Sequence, residues 1–389
     1  MTAQPQRSRP DAPVRVAIIG TARRSDYLYG PILKALPGAE LVAVWGRSPA
    51  SARRLGESLA VPHYTDLARL IREQAPEAGV VSVTYGANGE VGLMAVEHGL
   101  NVLLETPIAH RLSEADAIIA AARQRGLKVE VAEQFHRRPL EAIKLELLAS
   151  GLFGRVYTSF NDFAGHGYHG VSVMRSYLGW DAKPVRVSGA VRDYPLAAHH
   201  SRLQGTSGPR QETQEHGIIE FEDGRLGLYH WTNVAYDSAL RWWRSSRFLA
   251  ERGMGVTIGL GLEVHEQVSL LAPGGEAPRF VTLERQFERN DGGALVAMVA
   301  HTGDPALPLV RWDNPFCPAV QGHGVQWHDD EIAVAGCVMS LLEAVRSGGE
   351  PSYGAQQARL DQELTLAIRA SSRSGQPVTL PLDPAAQTD

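Results

Sequence analysis

Residues 14–131 alternate between short apolar, β-branched runs and helical segments, and this alternation most constrains the fold. Strands are predicted at Val14–Ile19, Glu40–Trp45, Gly79–Tyr85, Asn101–Leu104 and Lys128–Val131. Helices are predicted at Pro31–Leu36, from Ser48-Pro49 to Leu59, from Thr65-Asp66 onward, at Val91–His98, and from a capping box at Ser113–Asp116 to Gly126. Short apolar strands separated by helices are typical of a parallel, doubly wound α/β sheet.

Composition narrows the class of protein. The 389 residues are enough for two domains, and 44% hydrophobic with 21% charged residues is ordinary for a soluble globular protein. A net charge of −5 without a long charged run argues against a nucleic-acid or membrane-surface partner. No apolar stretch is long enough to span a bilayer.

The two cysteines and the first residues bear on the cellular location. Cys317 and Cys337 are too few for a disulfide framework or a cysteine-rich metal site, which favours a reducing cytoplasm. Residues 1–12 lack the apolar core of a signal peptide and are predicted to form a polar, flexible tail.

The turn after the first strand suggests a dinucleotide site. A Rossmann turn reads G-x-G-x-x-G, and here Gly20 holds the first position and Ala22 the second. The following helix is predicted to start only near Pro31, so the turn is expected to be longer than usual. We expect Gly20, Thr21, Ala22 and Arg23 to contact the pyrophosphate, because helix amino ends attract phosphate. The alternative is an ordinary strand–loop–helix junction.

The end of the second strand predicts which dinucleotide binds. An acidic residue there would accept hydrogen bonds from the ribose of NAD, whereas this chain has Gly46-Arg47-Ser48. Arg47 is suited to the 2′-phosphate of NADP as a charge-assisted donor, and Ser48 could cap the helix and still contact the phosphate. The sequence therefore favours NADP over NAD. The alternative is a solvated arginine and a helix cap.

Three further strands should end at the carboxyl edge of the sheet, where open α/β folds bind ligands. The residues at these ends are predicted to contact the cofactor: Thr84, Tyr85, Glu105, Thr106, Pro107 and Gln134. Thr106 and His136 are also predicted to contact a substrate. Arg137 or Arg138 could bind substrate or form a salt bridge.

Several segments together resemble the glucose–fructose oxidoreductase, inositol dehydrogenase and rhizopine-catabolism family, Gfo/Idh/MocA. They are VRVAIIG at 14–20, HGLNVLLETPIA at 98–109, VAEQFHRRP at 131–139, GLFGRV at 151–156, HGVSVMRSYLG at 169–179 and the helix from Asp330. The resemblance implies a Rossmann domain at 13–136 and a substrate-binding α/β domain at 137–389. It further implies that the second domain holds a large, mostly antiparallel sheet that often forms a homodimer or homotetramer.

This chain departs from the family at three positions. The family lysine of Glu-Lys-Pro falls on Thr106, and a histidine often found after the third strand falls on Gly89. In the family pattern Asp-x-x-x-His, Gly165 replaces the aspartate and His169 retains the histidine. The resemblance therefore supports the fold and the cofactor more strongly than the usual dehydrogenase chemistry.

A base for the substrate hydroxyl must then come from elsewhere than Thr106. Histidine titrates near neutrality, so we predict His169 as acid/base, with Tyr168 or His166 as its hydrogen-bonding partner. The glycines of the segment 165–170 predict an exposed, mobile substrate loop. A competing use is a metal site on His166 and His169, with His136, His230 or His328 as third ligand, but this spacing is not a recognised ligand pattern and no metal is predicted.

Tryptophans are mostly core residues. Among Trp231, Trp242, Trp243 and Trp327, only Trp327 is retained, together with His328, as a predicted substrate contact.

The leading prediction is an NADP- or NAD-dependent oxidoreductase acting on a hydroxyl or carbonyl of a sugar, cyclitol or related small cyclic compound. One alternative is a lyase or glycosidase in which the cofactor is transiently reduced, without net turnover of NAD(P). The other is a nucleotide-binding sensor that has lost its catalytic groups.

Overall fold

The computed structural model describes residues 12–84, 86–260, 263–271, 275, 277–289, 292–317 and 327–383. These residues form two compact units. The first contains the chain up to Arg137 together with residues 315–362, and the second contains Arg138–Asn314 together with the chain from Glu363. The predicted tail at 1–12 lies outside the described residues except for Ala12.

The first unit is built on a six-stranded parallel sheet in the order β3-β2-β1-β4-β5-β6, which confirms the predicted Rossmann topology. Its strands are β1 (Val14–Ile19), β2 (Ala39–Trp45), β3 (His63–Tyr64), β4 (Ala78–Val81), β5 (Asn101–Leu104) and β6 (Val129–Val131). Its helices are α1 (Gly30–Ala35), α2 (Pro49–Leu59), α3 (Leu67–Gln74), α4 (Asn88–Glu97) and α5 (Leu112–Arg125).

Two predicted helix starts in this unit are wrong. Helix α5 begins at Leu112, and Glu114 accepts a hydrogen bond from the backbone N–H of Arg111, so Ser113 lies inside the helix instead of capping it. The helix after β1 is already helical at Arg23 and passes through a π-helical turn, Ser25–Tyr29, before α1. The turn after β1 is therefore short, and the expected long loop does not exist.

A buried acid joins the later part of the chain to this sheet. Helix α8 (Asp329–Ser347) belongs to the first unit, and its Ser340 donates to Glu130 of β6 at 2.8 Å. Arg137 also donates to Glu130, at 2.5 Å. Burial raises the pKa of the Glu130 carboxyl to about 7. The interactions around Glu130 are internal to the first unit, so Arg137 acts there as a structural partner.

The second unit is built on an eleven-stranded sheet that is mostly antiparallel, in the order β16-β15-β14-β13-β12-β11-β7-β10-β9-β8-β17. Strands β7 and β10 form a parallel pair within it. The strands are β7 (Val156–Asp162), β8 (Pro184–His200), β9 (Ser207–Phe221), β10 (Leu226–Thr232), β11 (Trp243–Ala250), β12 (Gly253–Leu260), β13 (Glu263–Leu271), β14 (Pro278–Arg289), β15 (Gly292–His301), β16 (Leu309–Asp313) and β17 (Val378–Thr379). This large sheet confirms the second half of the predicted fold.

Helices cover one face of the eleven-stranded sheet. They are α6 (Pro139–Ala149), α7 (Gly167–Leu178) and α9 (Ala355–Ser374), whose residues from Glu363 belong to this unit. The packing is so close that a Cβ at Gly189 would lie 2.1 Å from the carbonyl oxygen of Ile368. Successive residues of a strand face opposite sides, so the neighbours of Gly189 and Gly217 lie on the other face of the sheet.

None of the described helices has the length and apolarity needed to cross a membrane. Cys317 and Cys337 are both buried.

Candidate functional site

The turn after β1 packs tightly against the end of β4. Gly20 has φ +120°, and a Cβ there would lie 2.1 Å from the carbonyl oxygen of Ser82 at the end of β4. Only glycine fits such a position without strain. The N–H of Ala22 donates to the same Ser82 oxygen at 3.3 Å. The turn therefore lies tightly over the β1–β4 boundary, where doubly wound sheets bind nucleotides at a topological switch point.

Ser25 occupies the third glycine position of the G-x-G-x-x-G pattern, which the sequence reading did not identify. Its hydroxyl is buried and donates to the carbonyl oxygen of Gly20 at 3.2 Å. This internal hydrogen bond satisfies the added polar group. Gly20, Ala22 and Ser25 thus hold the three motif positions, and the helix starts at Arg23, within the motif, as in a standard Rossmann turn.

The end of β2 presents an exposed cation. Arg47 and Ser48 are exposed, whereas Gly46 is buried. Ser48 stands at the N-cap position of α2, but its side chain makes no capping hydrogen bond, contrary to the expectation that it caps the helix. The Ser48 hydroxyl therefore makes no hydrogen bond to the amino end of α2.

The Glu105-Thr106-Pro107 tripeptide follows β5. Its glutamate is held by two side chains from the helical segment after β1. Arg24 pairs with Glu105 at 2.7 Å and the Tyr29 hydroxyl donates to the same carboxylate at 2.9 Å. Burial, with the Glu105 carboxylate beside it, raises the pKa of the Tyr29 hydroxyl well above its usual value, so Tyr29 stays a donor. The other Glu105 oxygen accepts from the backbone N–H of Thr106 at 3.2 Å.

Asn88 fixes the backbone of the same tripeptide. It is buried at the start of α4, and its amide donates to the carbonyl oxygens of Glu105 at 2.8 Å and Pro107 at 3.0 Å. The next residue, Gly89, packs against α5, since a Cβ there would lie 2.7 Å from Glu114 Oε2. A histidine at position 89 would therefore displace Glu114.

The remaining predicted cofactor and substrate residues of the first unit are placed as follows. Thr84 is exposed just after β4, while Tyr85 lies outside the described residues. Gln134 is buried, and its carbonyl oxygen accepts from the N–H of Arg137 at 3.0 Å. His136 is buried beside the Tyr353 ring, at 5.5 Å between centroids. Burial, with the Arg137 cation nearby, lowers the pKa of His136 well below its usual value, so its imidazole is neutral.

Trp327 and His328 precede helix α8. Trp327 is buried and packs against Phe316, with ring centroids 5.6 Å apart. His328 is the N-cap residue, and its backbone N–H donates to Glu331 at 2.8 Å. These contacts give both residues a structural role, and their predicted contact with substrate remains a prediction.

In the second unit, Asn161 organises the segment before α7. Its side chain accepts from the N–H of Gly165 at 2.8 Å and donates to the carbonyl oxygens of Gly165 at 2.9 Å and His230 at 3.0 Å. A Cβ at Gly170 would lie 2.6 Å from Asn161 Cγ, and one at Gly165 would lie 2.6 Å from the nitrogen of Gly170. Gly170 makes room for Asn161 and Gly165 makes room for the backbone of α7, so the prediction that this segment is exposed is wrong.

His169 lies in the first turn of α7 and is 6% exposed. Its ring is 4.7 Å from the His166 ring and 4.5 Å from the Tyr168 ring. The Tyr168 hydroxyl approaches His166 Nε2 at 3.4 Å. The structure thus brings together the three side chains predicted as the acid/base group.

Aromatic side chains after β10 extend this cluster. Trp231 lies 5.6 Å from the His166 ring and 4.7 Å from the Tyr236 ring, measured between centroids. The Arg244 guanidinium lies 5.5 Å over the Tyr236 ring. The sequence reading set Trp231 aside as a core residue and did not consider Tyr236 or Arg244. No local pattern marks them, because they are more than sixty positions along the chain from His166.

The alternative metal site finds no support in geometry. Within the described parts of the chain, no three His, Cys, Asp or Glu side chains lie close enough to hold a metal ion. His230, one of the suggested third ligands, instead contacts Asp162 at 3.0 Å and stacks on His216.

Comparison with known proteins identifies a matching family for the first unit. Residues 14–133 match the model of the Gfo/Idh/MocA family, described as an oxidoreductase family with an NAD-binding Rossmann fold. The 2,7-anhydro-N-acetylneuraminate hydratase of Mediterraneibacter gnavus is 32% identical over 59% of this chain and 63% of its own length. The chain thus spans less than two thirds of that relative. The scyllo-inositol 2-dehydrogenase (NAD+) of Bacillus subtilis is 21% identical over 94% of this chain and 96% of its own length.

Solved structures share the whole architecture. An oxidoreductase from Agrobacterium radiobacter, solved with NAD+, L-tartaric acid and magnesium, superposes with a TM-score of 0.65 at 17% identity. That match covers 94% of this chain and 98% of the other, and at this identity it shows the fold alone. Residues 14–133 of this chain thus match the Gfo/Idh/MocA oxidoreductase family, and the chain shares its two-sheet fold with solved oxidoreductases.

Proposed function

We propose that this protein transfers hydride between NADP, in preference to NAD, and a hydroxyl or carbonyl group of a sugar, cyclitol or related small cyclic compound. The observation that carries the proposal is the side-chain cluster around His169. It supplies a titratable group in the segment that resembles the family's catalytic segment, while Thr106 stands where the family has lysine.

The first unit fits the nicotinamide dinucleotide. Gly20 packs against the end of β4 too closely for any side chain, which is the tight turn that the first glycine of a dinucleotide-binding motif provides. When bound, the nicotinamide accepts or donates the hydride. Arg24 and Tyr29 hold Glu105, and Asn88 holds the backbone of the tripeptide. Together they position Thr106, whose hydroxyl we assign to orienting substrate or the nicotinamide ribose.

We assign proton transfer to His169. A threonine hydroxyl has too high a pKa to accept the proton of an alcohol, whereas imidazole titrates near neutrality. A positioned base contributes on the order of 10²–10⁴ in rate. Tyr168 and His166 lie against His169 and act as positioning residues for its ring.

The test is turnover of purified protein with NADP and a panel of sugars and cyclitols, followed as NADPH absorbance. His169→Ala should lower kcat by about 10²-fold or more while the Kd for NADP stays within about threefold. His98→Ala, an exposed histidine at the end of α4, is the matched control and should behave as the native protein. Undiminished turnover of His169→Ala would remove His169 from the mechanism.

A second candidate is a redox-neutral lyase or glycosidase in which the cofactor is reduced and reoxidised within one turnover. The observation that favours it is the 32% identity to a protein named as a hydratase, a reaction class without net redox change. Substrate conversion without net NADPH formation would favour this candidate over the first. Tight NADP binding with no conversion of any panel compound would instead support a nucleotide-binding sensor.

We further propose that the protein assembles as a homodimer or homotetramer through the second unit's sheet. Its helix-free face exposes Ile218, Leu249 and Phe280, with 44%, 37% and 61% of their surface accessible. A hollow of about 580 Å³ on this face is lined in part by Phe160, Leu228 and Arg247. Exposed apolar patches of this kind are typical of interaction sites.

Analytical ultracentrifugation should give a mass of at least two chains, and Phe280→Lys should shift it toward one chain. The control Leu203→Lys changes an exposed apolar residue in the turn between β8 and β9. A single-chain mass for the native protein at micromolar concentration would contradict the assembly. We also propose that the substrate is a small molecule and that the protein works in a reducing cytoplasm.

A further inference from the structure

The turn after β1 lies against the end of β2, where Gly20 donates to the carbonyl oxygen of Trp45 at 2.8 Å and Thr21 contacts Gly46. A Cβ at position 46 would lie 2.7 Å from the Thr21 methyl carbon, Cγ2, and 3.3 Å from the Ala52 Cβ. Real Cβ atoms do not approach other carbons to 2.7 Å, so one of the two residues must move if position 46 gains a side chain. Position 46 is therefore glycine because Thr21 and Ala52 leave no room for a Cβ.

The backbone at Gly46 has little freedom to relieve this contact. Its N–H donates to the carbonyl oxygen of Tyr64 at 3.0 Å, which fixes it to the end of β3. The residue is buried and its φ is not positive. Relief must come mainly from Thr21, whose β-branched side chain has few χ1 positions.

Position 46 also corresponds to the position that sets the preference for NAD or NADP in a Rossmann domain. It is the first residue after β2, and an acidic side chain there accepts hydrogen bonds from the ribose hydroxyls of NAD. The Thr21 methyl occupies the volume that the first carbon of such a side chain needs. The next two residues, Arg47 and Ser48, are exposed and able to meet a phosphate.

We propose that Thr21 is a cofactor-specificity residue, because its methyl group excludes an acidic ribose acceptor at position 46 and so holds this domain in an NADP-selective form. The inference rests on the proposed function, since it requires that the domain bind NAD(P). If the preference for NADP came only from the missing acid at position 46, adding an acid there would reverse it. With Thr21 in place, we expect that the acid alone does not reverse the preference.

A double-mutant cycle on the full chain tests this proposal. Thr21→Ser removes the methyl carbon and keeps the hydroxyl, which makes it the matched partner for Gly46→Asp. The Kd values of NADP and NAD are measured by isothermal titration calorimetry for the native protein, both single variants and the double variant. Binding is the readout, so no substrate is needed.

Gly46→Asp should weaken NADP by about tenfold or more through charge repulsion, with little gain in NAD affinity. Thr21→Ser keeps the hydroxyl, and its own effect on both Kd values enters the cycle as the second single variant. The double variant should bind NAD at least about tenfold more tightly than Gly46→Asp, a coupling that only neighbouring residues show.

A cofactor-independent readout guards against misfolded variants. Gly46→Ala adds only the offending Cβ and should lower Tm, and Thr21→Ser in the same chain should restore most of the loss. Equal NAD affinity of Gly46→Asp and the double variant, or a Tm of Gly46→Ala equal to that of the native protein, would overturn the proposal. Failure of the native protein to bind either dinucleotide would instead overturn the proposed function.

Discussion

Glycines in the two units meet different structural requirements. In the first unit, Gly20 is required by backbone conformation as well as by space, because it has φ +120° and a Cβ there would lie 2.1 Å from the Ser82 carbonyl oxygen. In the second unit, Gly165 and Gly170 have no positive φ and are required by space alone, because a Cβ would meet the backbone of Gly170 in one case and the Asn161 side chain in the other. The first glycine forms the tight turn that is typical of a nucleotide-binding switch point, whereas the other two form a packed turn.

The two units also depart from the family pattern in different ways. In the first unit, Ser25 replaces a glycine and satisfies its added hydroxyl internally. In the second unit, Gly165 replaces an acid, and the surrounding packing has closed over its position. Because the surrounding packing leaves no room at position 165, a single substitution cannot restore the lost acidic side chain there.

The largest expected effect comes from restoring the family's acid with Gly165→Asp. Its Cβ would lie 2.6 Å from the nitrogen of Gly170, and the Asn161 hydrogen bonds to Gly165 would be disturbed. We expect the free energy of unfolding to fall by about 3–5 kcal/mol, in the range of severe packing defects. Urea denaturation measures it.

Gly205→Asp is the matched control, at an exposed glycine with nothing within 4 Å of its Cβ position. Because Gly205 has a positive φ of 65°, this control also includes the cost of a strained backbone. A Gly165→Asp variant no less stable than Gly205→Asp would show that the turn is open to a side chain, as the sequence had suggested.

The sequence predicted the topology of the first unit because local patterns carry it. Five of the six parallel strands were predicted as short apolar runs, whereas the two-residue β3, His63–Tyr64, has no such pattern and was missed. Helix α3 starts where Thr65-Asp66 predicted it, and Asp66 caps it by accepting from the N–H of Arg69. The start of the helix after β1 was missed, since Arg23-Arg24-Ser25 has no apolar periodicity and the helix there contains a π-helical turn.

The site was harder to predict because its decisive contacts join distant residues. Tyr29 and Glu105 are 76 positions apart. Arg24 gave no sign in the sequence that it would pair with that carboxylate. The cluster of His166, Tyr168 and His169 was predictable, because its members are neighbours on one helical turn. The closed packing at Gly165 was not, since it depends on Asn161 from the preceding strand.

A smaller effect is expected at the end of β2, where we propose that the exposed Arg47 and Ser48 contact the 2′-phosphate of NADP. Arg47→Ala should raise the Kd for NADP by about tenfold, the loss of one charge-assisted phosphate contact, and leave the Kd for NAD within about twofold. Arg53→Ala, on the exposed side of α2 and paired with Glu57, is the control. Equal weakening of both dinucleotides would remove Arg47 from the phosphate site.

The smallest effect is expected from restoring the family lysine with Thr106→Lys. The backbone of Thr106 is held by Glu105, which already pairs with the Arg24 guanidinium, so a second cation would meet repulsion as well as attraction. With proton transfer assigned to His169, kcat should change by less than about tenfold. The sharper comparison is between Thr106→Lys/His169→Ala and His169→Ala alone. The added lysine should not restore turnover, because no acid can be placed at Gly165 to complete the family's group. Recovery to within about tenfold of the native kcat would show that the tripeptide after β5 still provides the catalytic position, and that the chain has lost only one side chain there.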